Sequence, residues 1–223
     1  MAIDELLFEE IQTAAVRQLG SSAAQQQRHC LYRAAAAVLR IYFWDKAYTT
    51  IGYFQKNDCE AVRRMTGGLL VNHKDDLSYG FCAAAEEWPY IYNQQDTYKH
   101  IHTAIKKALA DVNIESGFAD VKQNTDKNNL CVQTLYSDDL IYGGRKIAGS
   151  CMRRRGKKIL VQGSLHLNLE KERKEKFSRC FAGNMAKLLN MDLNDKNISS
   201  DEISKASSLA KTKYLTKEWN YKF

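Results

Sequence analysis

The spacing of the apolar residues changes four times along this chain of 223 residues, between helical and strand-like. Three segments have apolar positions at helical intervals: residues 2–18, 98–112 and 171–189. Most segments from residue 38 to residue 167 instead alternate, or are rich in β-branched and aromatic residues, as strands are. Ser199 and Glu202 have the spacing of a capping box, which predicts a last helix to about Lys213. This order predicts an α+β fold, in which a mixed, largely antiparallel sheet is flanked by helices.

Two connections between strand-like segments are short enough to be hairpins. Gly143-Gly144 separates Leu140–Tyr142 from Lys146–Ala148, and its permissive backbone suits a two-residue primed turn. A second hairpin is predicted between residues 38–44 and 48–53.

Length and composition predict one domain over residues 1–223, without an accessory C-terminal domain. The chain is 44% hydrophobic and 26% charged, which allows a full core, and no linker or repeat divides it. From its size we expect a monomer. The sequence has no apolar run of about 18 residues and no targeting segment, so we expect a cytoplasmic protein with no membrane span. The six cysteines form no C-x-x-C pair, so no metal site is predicted.

Positive charge exceeds negative charge. Lysine and arginine outnumber acidic residues by 33 to 26, giving a formal net charge of +7, which favours an acidic partner. The run Arg153–Lys158 has five positive charges in six positions and is predicted to be a hairpin tip. Nucleic acid and a small acidic carrier protein would both be attracted by this charge. We consider nucleic acid the less favoured partner.

Two segments have residue types that suit an anion or a carbonyl oxygen. Arg63-Arg64 precedes Gly67-Gly68, so guanidinium groups and backbone amides can converge there. The alternative is a glycine turn flanked by solvated arginines. Lys146 lies on a strand just after a turn and is followed by the small residues Gly149 and Ser150, so it can point into a pocket. The alternative is an exposed edge-strand lysine that discourages aggregation.

Segments along nearly the whole chain resemble, in order, the motifs of one family. The two strongest read Arg-Arg-Met-Thr-Gly-Gly and Gly-Arg-Lys-Ile-Ala-Gly-Ser. The matching segments are Ala2–Glu5, Tyr42–Gln55, Arg63–His73, Asp76–Tyr79, Gly144–Ser150, Gln162–Ser164, Lys213-Tyr214 and Trp219-Asn220. The chain thus resembles the biotin/lipoate protein ligase superfamily, in its lipoate-ligase and octanoyltransferase branch. This resemblance implies a class II synthetase-like catalytic core.

The resemblance also implies a set of site residues. Lys146 would direct its ammonium at an acyl carbonyl or, in a ligase, at an adenylate phosphate. The acyl and substrate site would be formed by Arg64, Thr66, Gly67, Gly68, His73, Gly149, Ser150, Gln162, Gly163 and Ser164. An apolar wall for the acyl chain is expected around Leu70 and Phe81. The expected partners are an acidic lipoyl domain or H-type carrier protein, an acyl carrier protein, and an octanoyl or lipoyl group.

Cys131 bears on the choice between two reactions. It lies fifteen residues before Lys146 (146 minus 131), where the cysteine-dependent octanoyltransferases of this family have their nucleophile. A transferase would need no cofactor, whereas an ATP-dependent lipoate ligase would use ATP and Mg. The alternative for Cys131 is a small buried hydrophobic residue, and Cys151 is a less favoured nucleophile.

Three departures from the family pattern keep a further alternative open. Leu69 replaces a frequent third glycine, Met152 a frequent glutamine, and Gln162 a frequent histidine. The alternative is a basic binding paralogue that uses the same fold without chemistry.

Overall fold

The computed structural model describes residues 1–11, 29–34, 36–44, 46–120, 135–190, 192 and 194–223. Its strands are β1 (His29–Arg33), β2 (Ala37–Phe43), β3 (Tyr48–Ile51), β4 (Val62–Arg63), β5 (Val71–His73), β6 (Leu77–Ala84), β7 (Gly117–Phe118), β8 (Leu140–Tyr142), β9 (Arg145–Arg155), β10 (Lys158–Leu165) and β11 (Asn194–Lys196). Its α-helices are α1 (Ala2–Glu10), α2 (Gln94–Ala110), α3 (Lys171–Leu189), α4 (Ser200–Leu209) and α5 (Lys217–Asn220). A π-helical turn at Ala210–Tyr214 follows α4.

The strands form two sheets. The larger has the order β11-β1-β2-β6-β10-β9-β8-β7, and its neighbours are antiparallel. The smaller has the order β4-β3-β5, in which β3 is parallel to β4 and antiparallel to β5. The predicted α+β fold, with largely antiparallel sheet flanked by helices, is confirmed.

Alternation along the central strands divides the side chains of the large sheet between two layers. Odd-numbered residues of β6 and β10, such as Phe81 and Val161, belong to a core shared with α2 and α3. Even-numbered residues, such as Cys82 and Leu160, belong to a smaller core shared with α1. α4 packs on α1, so helices cover both faces of the large sheet.

Arg63 attaches the small sheet to the C-terminal helices. Its guanidinium is fully buried and donates to five backbone carbonyls, those of Gly52, Tyr53, Gln55, Trp219 and Asn220. The indole of Trp219 donates back to the Arg63 carbonyl at 2.9 Å. Lys213 and Tyr214 both donate to the Glu5 carboxylate of α1. The Lys-Tyr and Trp-Asn motifs therefore hold the arginine loop and the first helix in place.

Several predicted local features are confirmed. α3 has the predicted bounds, and the capping box of Ser199 and Glu202 begins α4. Gly143 and Gly144 have φ of +56° and +73°, the signs that a primed hairpin turn requires. The basic run lies at the β9–β10 hairpin, where Arg155 pairs with Lys158 in the ladder.

Two predicted elements differ from the structure. The helix expected over residues 2–18 ends at Glu10 because Ile11 has an extended ψ of 114°; residues 12–18 lie outside the described residues. The hairpin expected between residues 38–44 and 48–53 is wrong. β2 pairs with β1 and β6, while β3 belongs to the small sheet. Local pattern identifies a strand but not its partner. Among the described residues, no helix is long and apolar enough to cross a membrane.

Candidate active site

A β-bulge turns Lys146 toward a cleft. The register between β8 and β9 shifts by one residue, which makes Ile147 an extra residue on β9. Without this bulge, alternation would place Lys146 on the same face as Ser150. With it, Ile147 and Ala148 both join the larger core, and Lys146 lies beside Gly149 on the opposite face. Bulges re-aim side chains in this way next to functional sites.

Asp139 holds the ammonium group of Lys146. Nζ lies 2.6 Å from Asp139 Oδ2, and the two side chains are 5% and 6% exposed. Burial raises the pKa of the Asp139 carboxyl, and the charge of Lys146 opposes this rise. Gly149 leaves the room that the pair needs, because a Cβ there would lie 2.8 Å from Lys146 Cε and 3.0 Å from Asp139 Oδ1. The alternative of an exposed edge lysine is therefore wrong.

Arg64 shapes the glycine loop from inside. Its guanidinium donates to three acceptors: Thr50 Oγ1 at 2.7 Å, the Gly67 carbonyl at 3.1 Å and the Leu69 carbonyl at 2.7 Å. Gly68 has φ of +86°, and a Cβ there would lie 2.3 Å from the Cys151 sulfur, so a side chain does not fit. Arg63 and Arg64 are 0% and 4% exposed, which excludes the alternative of solvated arginines.

His73 is the centre of a buried polar chain. Its Nδ1 lies 2.7 Å from Asp76 Oδ2 and its Nε2 lies 2.8 Å from Thr50 Oγ1. The ring stacks on Trp44 with centroids 4.2 Å apart. Burial alone would raise the pKa of Asp76, but the hydrogen bond and charge of His73 bring it below its ordinary value. Ser78 extends the chain by donating to Asp76 at 3.2 Å.

Gln162 joins the first helix to the glycine loop. Its Nε2 donates to Asp4 Oδ2 at 2.8 Å, and its Oε1 accepts from Thr66 Oγ1 at 2.8 Å. A carboxylate can only accept, so the amide nitrogen must face Asp4. Burial would raise the pKa of Asp4, but Arg40, 2.6 Å away, brings it below its ordinary value. One amide thus supplies both the donor and the acceptor that its neighbours require.

These groups meet at one cleft. The predicted site residues that line it are Arg64, His73, Lys146, Gly149, Gln162, Gly163 and Ser164. Three further residues of the predicted loop contact residues of this lining: Thr66 contacts Gln162, Gly67 contacts Arg64 and Gly68 lies against Cys151. Ser164 also lies 3.4 Å from Ser78. Cys131, the predicted nucleophile, lies outside the described residues.

The expected apolar wall is only partly where it was predicted. Val71, the neighbour of Leu70, lines the cleft. Phe81 is fully buried in the larger core, with its ring 5.1 Å from that of Trp88. The expectation for Phe81 is wrong because alternation along β6 directs this side chain to the face opposite the cleft.

The side chain of Ser150 points away from the cleft. Its Oγ lies 2.6 Å from Nε2 of His102 on α2 and also contacts the Tyr79 hydroxyl. Nδ1 of His102 contacts the Asp138 carbonyl. Because a carbonyl only accepts, Nδ1 carries the proton, Nε2 accepts from Ser150, and Tyr79 donates to Ser150. This chain of hydrogen bonds ends at the carbonyl of Asp138. It therefore fixes the backbone next to Asp139, the ion-pair partner of Lys146.

We expect His102 to make the free energy of unfolding fall as the pH is lowered from about 6.5 to about 4. Burial lowers the pKa of His102 from 6.5 to about 4, so in this window the unfolded chain binds a proton that the folded chain does not. This lowering of the pKa corresponds to a loss of about 3 kcal/mol in the free energy of unfolding across the window, at about 1.4 kcal/mol per pH unit. Urea unfolding of wild type and His102→Gln at pH 7 and 4.5 measures it.

A matched control is His100→Gln on the same helix, where the ring stacks on Tyr90 with centroids 3.8 Å apart. This variant should keep the pH dependence of wild type, whereas His102→Gln should reduce it. Equal pH dependence in wild type and His102→Gln would show that His102 does not remain neutral in the folded protein.

Sequence reasoning did not single out three groups near the cleft lysine. His166 lines the cleft, and burial lowers its pKa while Asp76 opposes that change. For Asp139 a signal was available, because the hairpin around Gly143-Gly144 brings residue 139 beside Lys146. For His102 the sequence offered no signal, since one histidine on an apolar helix face is usually a core residue. Among the described residues, no group of three His, Cys, Asp or Glu side chains could hold a metal ion.

Comparison with known proteins supports one family. The family described as the lipoyl protein ligase A/B catalytic domain matches residues 2–206. Octanoyltransferase LipM of Oceanobacillus iheyensis is 30% identical over 146 residues, which cover 60% of this chain and 54% of the relative. The match thus spans about half the length of that relative. Octanoyltransferase LipM of Bacillus subtilis is 25% identical over 240 residues, covering 83% of this chain and 86% of the relative.

A solved structure shows the same fold. The bi-partite lipoate protein ligase of Thermoplasma acidophilum, described with its E2 lipoyl domain, superposes with a TM-score of 0.67 at 17% identity, covering 99% of this chain and 89% of that one. The sheet and its flanking helices thus have the class II synthetase-like fold. The chain belongs to the lipoyl protein ligase A/B catalytic domain family, which confirms the predicted branch of the biotin/lipoate protein ligase superfamily.

Proposed function

We propose that this protein transfers an octanoyl group from a carrier thioester to a specific lysine of a lipoyl-domain or H-type carrier protein, through a thioester on Cys131. The observation that carries the proposal is the Lys146 ammonium, held by Asp139 at the wall of the cleft. A preorganised cation there stabilises the negative charge that develops on the acyl carbonyl oxygen in each transfer step. Relatives named octanoyltransferase support the reaction class.

The proposed reaction has two balanced steps. In the first, the Cys131 sulfur attacks the carrier thioester, the bond from the acyl carbon to the carrier sulfur breaks, and the carrier thiol leaves with the proton of Cys131. In the second, the acceptor lysine amine attacks the enzyme thioester, an amide forms, and the Cys131 thiol is regenerated with a proton from the amine. Thioester exchange is nearly isoenergetic and amide formation is downhill, so neither step needs ATP.

We assign the remaining predicted residues to binding and positioning. Arg64, His73 and Ser164, together with the backbone of Gly163, border the space where the acyl group would lie. Thr66 and Gln162 hold the glycine loop to the first helix. Ser150 acts from the other face of the sheet through His102.

One assay separates the proposal from its alternatives. Apo lipoyl domain is incubated with this protein and either octanoyl carrier protein without ATP, or lipoate with ATP and Mg, and is then weighed by mass spectrometry. We expect an octanoyl mass gain without ATP. A gain only with lipoate and ATP would establish the ligase instead, and no gain under either condition would favour the inactive binding paralogue.

We expect Gly149→Ala to lower kcat for octanoyl transfer about tenfold or more, since the new Cβ would displace the Lys146 ammonium from its position at the carbonyl. KM should change little. Gly183→Ala is a matched control at an exposed position of α3, where a Cβ meets no atom within 4 Å, and it should keep wild-type kcat. Wild-type kcat in Gly149→Ala would mean that the position of Lys146 does not limit the reaction.

A further inference from the structure

A surface of cationic and aromatic side chains extends from the cleft along β9. Cys151 lines the cleft, and Arg153 lies two residues further along the same face of the strand, a distance of about 7 Å. The guanidinium of Arg153 lies 4.7 Å from the centroid of the Tyr53 ring. Tyr53 in turn is joined to the glycine loop by its backbone amide, which donates to the Thr66 carbonyl at 2.9 Å. The surface therefore begins beside Cys151 at the edge of the cleft.

Two cations converge on the side chain of Tyr53. Lys222 Nζ lies 2.5 Å from the phenol oxygen and 4.6 Å from the ring centroid. The hydrogen bond from Lys222 lowers the pKa of Tyr53, and Arg153 adds to this effect. Within the part of the chain that the structure describes, neither cation has a carboxylate within 4.0 Å. Both cations thus contact a phenol rather than a carboxylate.

Exposed aromatic rings border these cations. Phe54 is 74% exposed and Phe223 is 52% exposed. Phe54 packs edge-on against Tyr53 with centroids 4.9 Å apart, and Phe223 packs against Tyr53 at 5.7 Å. Large aromatic side chains and arginine are enriched at protein interfaces and among the residues that anchor them. We call Tyr53, Phe54, Arg153, Lys222 and Phe223 the β9 patch.

The hairpin tip has the opposite character, although it is the more basic segment of the sequence. Arg155 pairs with Glu9, and Lys158 donates to the Glu9 carbonyl. Lys157 lies 3.9 Å from Glu86. Beyond Arg153, Arg155 and Lys157 thus have carboxylate partners within the chain and Lys158 has a carbonyl partner. The patch cations Arg153 and Lys222 instead share the side chain of Tyr53.

We propose that the β9 patch binds an acidic segment of the acceptor carrier protein, next to the lysine that receives the acyl group. This proposal rests on the proposed function. When an acceptor lysine reaches into the cleft, the residues next to it in the carrier protein lie at the edge of the cleft, within reach of Arg153 and Lys222. Carboxylates there would compensate both cations, and an apolar side chain would cover Phe54. The patch thus selects an acceptor lysine with acidic neighbours.

Direct binding tests this proposal separately from catalysis. The dissociation constant of the full-length chain for an apo lipoyl domain is measured by fluorescence anisotropy at 50 and 300 mM salt. We expect Arg153→Gln/Lys222→Gln to weaken binding about tenfold at 50 mM salt and to reduce its salt dependence. Lys157→Gln/Lys158→Gln removes the same charge from the tip of the β9–β10 hairpin, and its binding should stay within about twofold of wild type. Phe54→Ala should weaken binding at both salt concentrations.

The same variants in the transfer assay give a second measurement. We expect Arg153→Gln/Lys222→Gln to raise KM for the lipoyl domain and to leave kcat unchanged. Wild-type binding and wild-type KM in this variant, or an equal loss in Lys157→Gln/Lys158→Gln, would overturn the β9 patch while leaving the proposed function intact. If wild type binds the lipoyl domain through the patch but never acylates it, the proposed function fails and the patch stands.

Discussion

Cys131→Ser is expected to lower octanoyl transfer to the lipoyl domain by at least about 10³-fold, because a serine hydroxyl is a poor nucleophile toward a thioester without a base to activate it. The loss should appear in both kcat and kcat/KM and should not be recovered by adding ATP. Steady-state transfer from octanoyl carrier protein, with the lipoyl domain weighed by mass spectrometry, measures it.

Cys151→Ser is the matched control, since Cys151 is the thiol that lines the cleft. It should retain transfer to within a few-fold of wild type, because the proposed route does not pass through it. Loss of transfer in Cys151→Ser with retention in Cys131→Ser would move the nucleophile to Cys151. Retention in both variants would exclude a required thioester on either of these two cysteines.

Lys146→Met is expected to lower kcat about 10²- to 10³-fold, since it removes the charged donor that we propose stabilises the carbonyl oxygen. It should also destabilise the fold by about 3–5 kcal/mol, because breaking a buried pair leaves one charge without its partner. Kinetics and urea unfolding of the same preparation give both values.

The double variant Lys146→Met/Asp139→Asn separates these two effects. With the carboxylate neutralised, most of the lost stability should return, while kcat should remain as low as in Lys146→Met. If activity returned together with stability, Lys146 would have a structural role only. Wild-type kcat in Lys146→Met would remove the lysine from the proposed chemistry.

Much of the fold could be predicted from the sequence, because its elements follow from local patterns. The helical period over α3, the capping box at Ser199 and the paired glycines at residues 143 and 144 all describe local backbone geometry. Strand pairing could not be predicted in this way. β2 and β3 are adjacent in sequence and both rich in β-branched and aromatic residues, yet they belong to different sheets, because pairing depends on contacts between distant segments.

Several residues of the cleft could be predicted from the sequence, but the geometry of the cleft could not. Ordered motifs identified Lys146 and the Arg64–Gly68 loop, which the structure brings together at one cleft. They did not indicate the bulge at Ile147, which decides the face on which Lys146 lies. For the same reason they placed Ser150 at the substrate, although its side chain reaches His102 on the other face. Which way a side chain points depends on the parity of the strand, and one extra residue reverses it.

Intact mass spectrometry of the enzyme tests the thioester route most directly. The protein is incubated with octanoyl carrier protein in the absence of a lipoyl domain, weighed, digested and mapped, and a second portion is chased with apo lipoyl domain. We predict one octanoyl group, labile to hydroxylamine, on the Cys131 peptide, and its transfer to a single lysine of the lipoyl domain during the chase. A lipoyl domain acylated at full rate while no acyl group ever appears on Cys131 would contradict the account.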